Sequence, residues 1–553
     1  MKKIVKKLVL YYLAFVIIKS ILSYFIPAPS GFSDEYIYAK LARSFFFDFN
    51  FTVHNFFFNI SHPLYFITLS PAYLFSKMTL IYPAMKVINS IISSLVIFPA
   101  FLISREFFNS NKSFKIAILI SLLPSNFIFS SYILTENIFY PLFLFSIYLI
   151  YKSLISEKLI WPILAGIAIG LTYLSRIVGI VLFAAIGMVF LFRLIKKEKI
   201  FLKNTIIMCS TSLLIISPFL LQNILTQGSV LGGYTAEAST IFELNKFLPK
   251  YSIQFILYLG LMILSTGVLF PLLISKKIFN KETITFSIVT LTSIFTTLII
   301  AANHNVTILP NLLLDLPANY LPWLAGRLIG RYIDVILPLV IILGFICIKE
   351  KISLRKTIIF STILLFSSQM VLTRLFPINH VSTVHLGLFN HLLLFITNFP
   401  INMLIVGIIL GIIPFILYKI KFNFQKIFSL FMLLFILLNI LNFTLIYYNS
   451  NEFWYKGDQM QLGLWLESHD PEISTVLFDK RDCISALTKL NQKSICQPSG
   501  KSTIIGFWLN DNIIVDDPNN VENVDFIISR HKLDFPIIKT SKDNIYIYSL
   551  KGN

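Results

Sequence analysis

Gly31-Phe-Ser-Asp-Glu-Tyr-Ile-Tyr-Ala-Lys-Leu-Ala-Arg-Ser-Phe-Phe46 follows the first apolar run of the chain and carries two adjacent carboxylates, Asp34 and Glu35. Acids in the first turn of a helix complement the backbone dipole and its free N–H groups, so the stretch predicts a helix starting at Asp34 with Ser33 as its cap. Tyr38 falls one turn beyond Asp34, while Lys40 and Arg43 occupy another face, the pattern of a helix lying at a membrane surface. Capping alone accounts for the pair locally, so a chemical role has to be argued from the remainder of the chain.

That remainder is greasy. Of 553 residues, 56% are hydrophobic, 15% aromatic and only 13% charged, against about 25% charged in ordinary soluble proteins. The composition excludes a soluble enzyme and implies a polytopic α-helical membrane protein. A net charge of +19 does not point to nucleic acid, because the basic residues come in short clusters between apolar runs, as the positive-inside rule requires. The start, Met1-Lys-Lys-Ile-Val-Lys-Lys7 followed by apolar residues to Ile26, shows no small-residue cleavage site and reads as a retained helix.

A spanning helix takes about 20 apolar residues. Thirteen runs qualify, near 7–26, 82–103, 116–133, 137–152, 160–174, 177–193, 205–223, 253–274, 283–301, 331–348, 357–375, 400–418 and 427–447. With the N-terminus inside, alternate loops (104–115, 152–158, 193–203, 276–281, 349–356 and 419–426) are all basic, and the opposite loops hold Asp34, Glu35, Asp48, Glu136, Asp315 and Asp334. This alternation requires that residues 62–80 not span, so they are expected to form a re-entrant or surface-lying element beside a cavity on the outer face.

The composition changes near Asn449. Residues 450–553 hold eleven Lys/Arg and fourteen Asp/Glu, which predicts two parts: a membrane domain, 1–448, whose outer loop 27–81 carries the acidic pair, and a small extracytoplasmic soluble α/β domain, 449–553. Gln459–Ser468 reads as a helix, and the runs 474–478, 504–509, 513–515, 524–528 and 545–548 read as strands. Cys209 and Cys347 sit in apolar runs as small hydrophobes. Cys483 and Cys496 lie in the tail, where spacing does not settle whether they pair.

Ionisable groups near outer helix ends are costly to bury and are therefore functional candidates. Glu136 opens a helix behind Thr135. Lys86, Arg176, Arg327 and Arg331 are cations on the outer side, against the positive-inside rule, with Arg176 between two apolar half-segments and Arg331 beside Tyr332. A guanidinium offers a fork of donors suited to a phosphate in a poorly hydrated pocket. His62 precedes Pro63 next to the expected cavity. His380, His385 and His391 share one loop, at spacings that match no helical face or zinc pattern.

Taken in order, Asp34-Glu35, His62-Pro-Leu-Tyr65, Thr135-Glu136, Leu174-Ser-Arg176 and Arg331-Tyr332 with Pro338 resemble the GT-C superfamily of membrane glycosyltransferases. The nearest branch is that of the protein O-mannosyltransferases and aminoarabinose transferases. The His-Pro-Leu-Tyr stretch lacks the second proline common in that family. The resemblance implies an inverting transferase that moves a sugar from a dolichyl or undecaprenyl phosphate to a hydroxyl of a protein, lipid or glycan acceptor on the outer face. Asp34 would be the general base, Glu35 and Glu136 its companions, and Arg176, Arg331 and Lys86, with Tyr332 and His62 nearby, the residues around the phosphate. Some relatives use a divalent metal ion and others do not, which leaves that cofactor open. The rival reading is a transporter or a flippase of polyprenyl-linked glycolipids, which shares the many spans and the discontinuous element. Charge gathered at one face, the appended outer domain and the lack of visible inverted repeats favour the enzyme.

Overall fold

The computed structural model describes residues 2–30, 32–54, 56–57, 62–197, 202–230, 244–269, 275–308, 329–348, 359, 384–386, 423–470, 472–482, 500–519 and 523–551. These fall into two compact units, one of residues 17–91, 130–134 and 444–553, the other of residues 1–16, 92–129 and 135–443. Unbroken apolar runs make the chain mostly helical. Among the described residues six helices are long and apolar enough to cross a membrane, or seven if the pair Ser110–Ser121 and Pro124–Ser131, bent by 64°, counts as one span. The expected spans 357–375 and 400–418 lie outside the described residues, apart from Ile359, as do Arg327, His380, His391, Cys483 and Cys496.

The first unit joins the start of the chain to its end. It contains the last turns of α1 (Lys2–Tyr24) and then α2 (Phe32–Asp48). A short hairpin follows, β1 (Thr52–Val53) with β2 (Phe56–Phe57), and after it α3 (Leu64–Leu69) and most of α4 (Met78–Ser94). α2 begins at Phe32, two residues ahead of the expected start, so Ser33 lies inside the helix and Asp34 and Glu35 share its first turn. The segment 64–74 is helical but too short to span, as the charge alternation demanded.

In the same unit, β3 (Thr475–Asp479), β4 (Asn512–Asp516), β5 (Phe526–Ser529), β6 (Ile537–Thr540) and β7 (Tyr546–Ser549) form one sheet in the order β4-β3-β5-β7-β6. β4, β3 and β5 run parallel and β7 and β6 close the sheet antiparallel. One face packs Val476, Phe478, Val515 and Ile528 against Leu462, Leu466, Ile505 and Leu509 of the helical layer. Residues 504–509, expected as a strand, instead finish the helix Gly500–Phe507 and the turn after it. A short apolar run fits either state, and here it packs on the helix Asp458–His469 at Gly463, where a Cβ would stand 2.6 Å from the Ile505 carbonyl oxygen.

The second unit is helical. The Glu136–Ile155 helix lies innermost, with 78% of its apolar window buried, whereas the window of Leu202–Thr226 is only 22% buried and presents the apolar sides expected to face lipid. Ser146 and Thr172 share a 2.8 Å hydrogen bond between the Glu136–Ile155 and Ile160–Ser175 helices. The chain breaks at Arg176, which is extended (φ −166°, ψ 138°), before Ile177–Ile180 and Val181–Lys196 resume.

Candidate functional site

In the first unit, α2 presents Asp34 half-buried and Glu35 wholly buried. Glu35 Oε1 accepts from the Ser30 amide (3.1 Å) and Oε2 from the Ile133 amide (3.0 Å), so this carboxylate ties the loop before α2 to the segment 130–134. Charge-assisted bonds to backbone amides are among the stronger hydrogen bonds, which explains how a buried acid is tolerated. Nearby, Tyr65 of the His-Pro-Leu-Tyr stretch donates to Asn89 Oδ1 (3.0 Å), and Asn89 Nδ2 donates to the Tyr132 carbonyl (2.9 Å). His62 is half-buried just ahead of α3.

Lys86, nominated for the phosphate, is bonded to the end of α1. Its Nζ donates to the carbonyls of Ser23 (2.7 Å) and Ile26 (2.8 Å) and sits 4.0 Å from the Tyr82 ring centroid, with the residue 1% exposed. It therefore closes the C-terminal end of α1, where a cation complements the helix dipole.

The opposite side of α2 is held by Tyr36, Lys40 and Arg43. The Tyr36 hydroxyl shares a 2.7 Å hydrogen bond with His54 Nε2. His54 Nδ1 is sealed from water without a partner among the described residues, and burial, helped by Lys40, pulls the imidazole down to about 3. Burial first and Arg43 second bring Lys40 down to about 7, so its bond to the Leu509 carbonyl (2.6 Å), more than its charge, is what holds it. Arg43 Nε donates to the Asn510 carbonyl at 3.0 Å. Burial raises Asp511, which accepts from the Ser474 amide, to about 6.

In the second unit, four of the residues singled out from sequence converge. Glu136, with its side chain fully enclosed, is paired by Arg176, and Arg331 Nε lies 3.7 Å from the same Oε1. The Arg176 guanidinium stacks 4.5 Å from the Tyr332 ring centroid, and Tyr332 hydrogen-bonds His304 Nε2 through its hydroxyl (3.1 Å). Tyr140 donates to the Arg331 carbonyl (2.8 Å), fixing the short turns that precede Leu337–Cys347. Thr135 does not cap its helix; its hydroxyl donates to Glu136 Oε2 at 3.2 Å. Within this trio, two guanidinium groups on one carboxylate leave a surplus positive charge, and both arginine side chains keep an exposed edge, 11% for Arg176 and 20% for Arg331.

Sequence reasoning missed Tyr140, His304 and the pairing of Asp334 with His385. Asp334 is buried with Oδ1 3.6 Å from His385 Nε2, which also meets Ser125 Oγ at 3.0 Å. No pattern signals that pairing, since the two histidine-bearing and acidic segments lie far apart in the chain. Among the described residues no three His, Cys, Asp or Glu side chains converge as metal ligands.

Residues 62–221 match the family described as dolichyl-phosphate-mannose-protein mannosyltransferase. No curated protein sequence matches the chain significantly. Among solved structures, ArnT from Cupriavidus metallidurans superposes with a TM-score of 0.58 at 11% identity, covering 99% of this chain and 98% of that one. The same protein bound to undecaprenyl phosphate gives 0.58 at 12% identity, over 98% and 97%. The Archaeoglobus fulgidus oligosaccharyltransferase is a looser match, with a TM-score of 0.46 at 12% identity over 94% and 69%. Whole-chain correspondence with the first of these gives this integral membrane protein the same fold as ArnT, and the family match falls within its membrane portion.

Proposed function

We propose that the protein is an inverting glycosyltransferase that takes a sugar from a polyprenyl phosphate and passes it to a hydroxyl of a protein, lipid or glycan on the outer membrane face. The observation that carries this reading is the Glu136–Arg176–Arg331 cluster on a chain with the GT-C fold. A polyprenyl-phosphate sugar is a phosphodiester with one negative charge, matched by the one surplus positive charge of that trio. Undecaprenyl phosphate is the ligand in one of the structural relatives, which supports the same donor class here.

In this reading the acceptor oxygen attacks the anomeric carbon from the side opposite the phosphate. Asp34 takes the acceptor's proton, the bond from the anomeric carbon to the phosphate oxygen breaks, and the departing polyprenyl phosphate gains a second negative charge. Arg176 and Arg331 stabilise that charge as it develops, Glu136 and the Tyr332 ring hold the Arg176 fork in plane, and Glu35 fixes the loop that presents Asp34. Lys86 holds the end of α1 behind the site, and His62 stays a candidate beside the donor. This reading takes the chain as thirteen spans with a cytoplasmic N-terminus and residues 449–553 outside, a topology in which the loops carrying Asp34 and Glu136 would face the side of the lipid-linked donor.

Mass spectrometry of glycans and glycolipids from a strain lacking the protein is expected to show one missing sugar, naming donor and acceptor together. Reintroducing the wild-type chain restores it and Asp34→Asn does not, at equal expression. Restoration by Asp34→Asn would defeat the proposed base.

A further inference from the structure

Residues Gly506–Asn510, at the end of the helix Gly500–Phe507, touch the loop region from two directions. Leu509 and Asn510 offer their carbonyls to Lys40 and Arg43 of α2. Both carbonyls follow the helix end, whose last amides bond back to Ile505 and Gly506, so they are open to donors from outside the helix. Asn510 Nδ2 also donates to the Ser76 carbonyl (2.8 Å), and Phe507 and Trp508 meet the Tyr82 ring edge-on, at 5.4 and 5.9 Å between centroids. Gly506 leaves room for the Tyr36 hydroxyl: a Cβ there would stand 2.8 Å from it and 3.0 Å from the Phe478 ring.

The contacts of Tyr36, Lys40 and Arg43 share one side of α2. At 3.6 residues per turn, Tyr36, Lys40 and Arg43 lie about 180 to 240° around the helix from Asp34. The C-terminal segment therefore grips the back of the helix and leaves the Asp34 side uncovered by that grip. Ionic and polar side chains on an outer helix are ordinarily solvated, yet Lys40 is 4% exposed and Tyr36 3%, so both are committed to this contact.

We propose that Gly506–Asn510 set the position of the helix that carries Asp34, with Tyr36, Lys40 and Arg43 as positioning residues for proton removal from the acceptor. The C-terminal unit thereby becomes part of the catalytic apparatus. This rests on the transferase reading above, because only a base whose reach matters to within about an ångström gains from such a mount.

The test uses the full-length protein in lipid nanodiscs and, in parallel, the deletion strain. Lys40→Met is expected to speed hydrogen exchange of the α2 amides at least tenfold, as measured by mass spectrometry, while the β3 and β5 amides and the affinity for undecaprenyl phosphate stay within twofold. The initial rate at which the missing glycan returns after induction, per folded molecule, is expected to fall about 100-fold, the loss typical of a small misplacement of a reacting group. Lys40→Arg, which keeps a donor to Leu509, recovers most of both readouts, and Gly506→Val repeats the loss from the other partner. Should Gly506→Val not fold, Lys40→Met with its arginine control decides. Unchanged exchange in Lys40→Met, or faster exchange with an unchanged rate of return, overturns the inference. Transfer by Asp34→Asn would instead defeat the proposed base, and a deletion strain that lacks no sugar would defeat the transferase reading; both leave the exchange result standing.

Discussion

At the scale of single residues, the balance of charge around Glu136 makes a distinctive prediction. Breaking a buried ion pair by removing one partner typically costs about 3 to 5 kcal/mol, because the charge left behind is uncompensated. Glu136→Gln removes the carboxylate that Arg176 and Arg331 share, so the free protein is expected to melt earlier than wild type. On the proposed donor reading undecaprenyl phosphate would supply the lost negative charge, and it is expected to raise the melting temperature of Glu136→Gln more than that of wild type. Equal shifts in a thermal melt would show that the arginines do not face the lipid phosphate. Arg176 and Arg331 were nominated from the sequence because the expected topology puts both at outward span ends, against the positive-inside rule. Lys86 carried the same signal, and its ammonium meets the last carbonyls of α1, since a cation near a helix end serves a phosphate and a row of helix carbonyls equally well.

Among the elements, the helix Gly500–Phe507 shows how tertiary packing overrides a local pattern. Its apolar run suits a strand by composition, but Gly463 lets the helix Asp458–His469 approach its backbone closely. Gly463→Val would push a branched side chain into the Ile505 carbonyl, an overpacking that costs about 1 to 3 kcal/mol. A matching fall in unfolding free energy, with the sheet signature in circular dichroism retained below the transition, is the expected result. Elsewhere the elements followed their signals. The strands at 475–479, 512–516, 526–529 and 546–549 sit within two residues of the apolar runs that announced them. The break at Arg176 falls where two short apolar segments met, because extended backbone there interrupts the helical ladder.

For the molecule as a whole, the division into compact units cuts across the division by composition. Residues 17–91 belong with residues 444–553, so the acidic loop and the chain's end fold as one body. Truncation at residue 449 is consequently expected to leave the outer loop without its packing: Tyr36, Lys40, Arg43, Ser76 and Tyr82 would all lose partners. Limited proteolysis of the truncated chain in nanodiscs should cut within residues 27–81 much faster than in the full-length protein. Equal resistance would mean that the loop is self-sufficient and would count against a mount supplied by the C-terminal unit.

Hydropathy, charge alternation and a handful of ordered motifs were enough to establish a many-helix membrane protein and to nominate Asp34, Glu136, Arg176 and Arg331, because burial in lipid penalises every charge that lacks a purpose. The company those residues keep was decided only by the fold. Glu35 reaching for Ile133, Arg331 joining Arg176 on one carboxylate, and Lys40 meeting Leu509 link positions far apart in the chain. Local sequence encodes the periodicity and polarity of each segment, whereas a hydrogen bond across hundreds of residues exists only once packing has brought its two ends together.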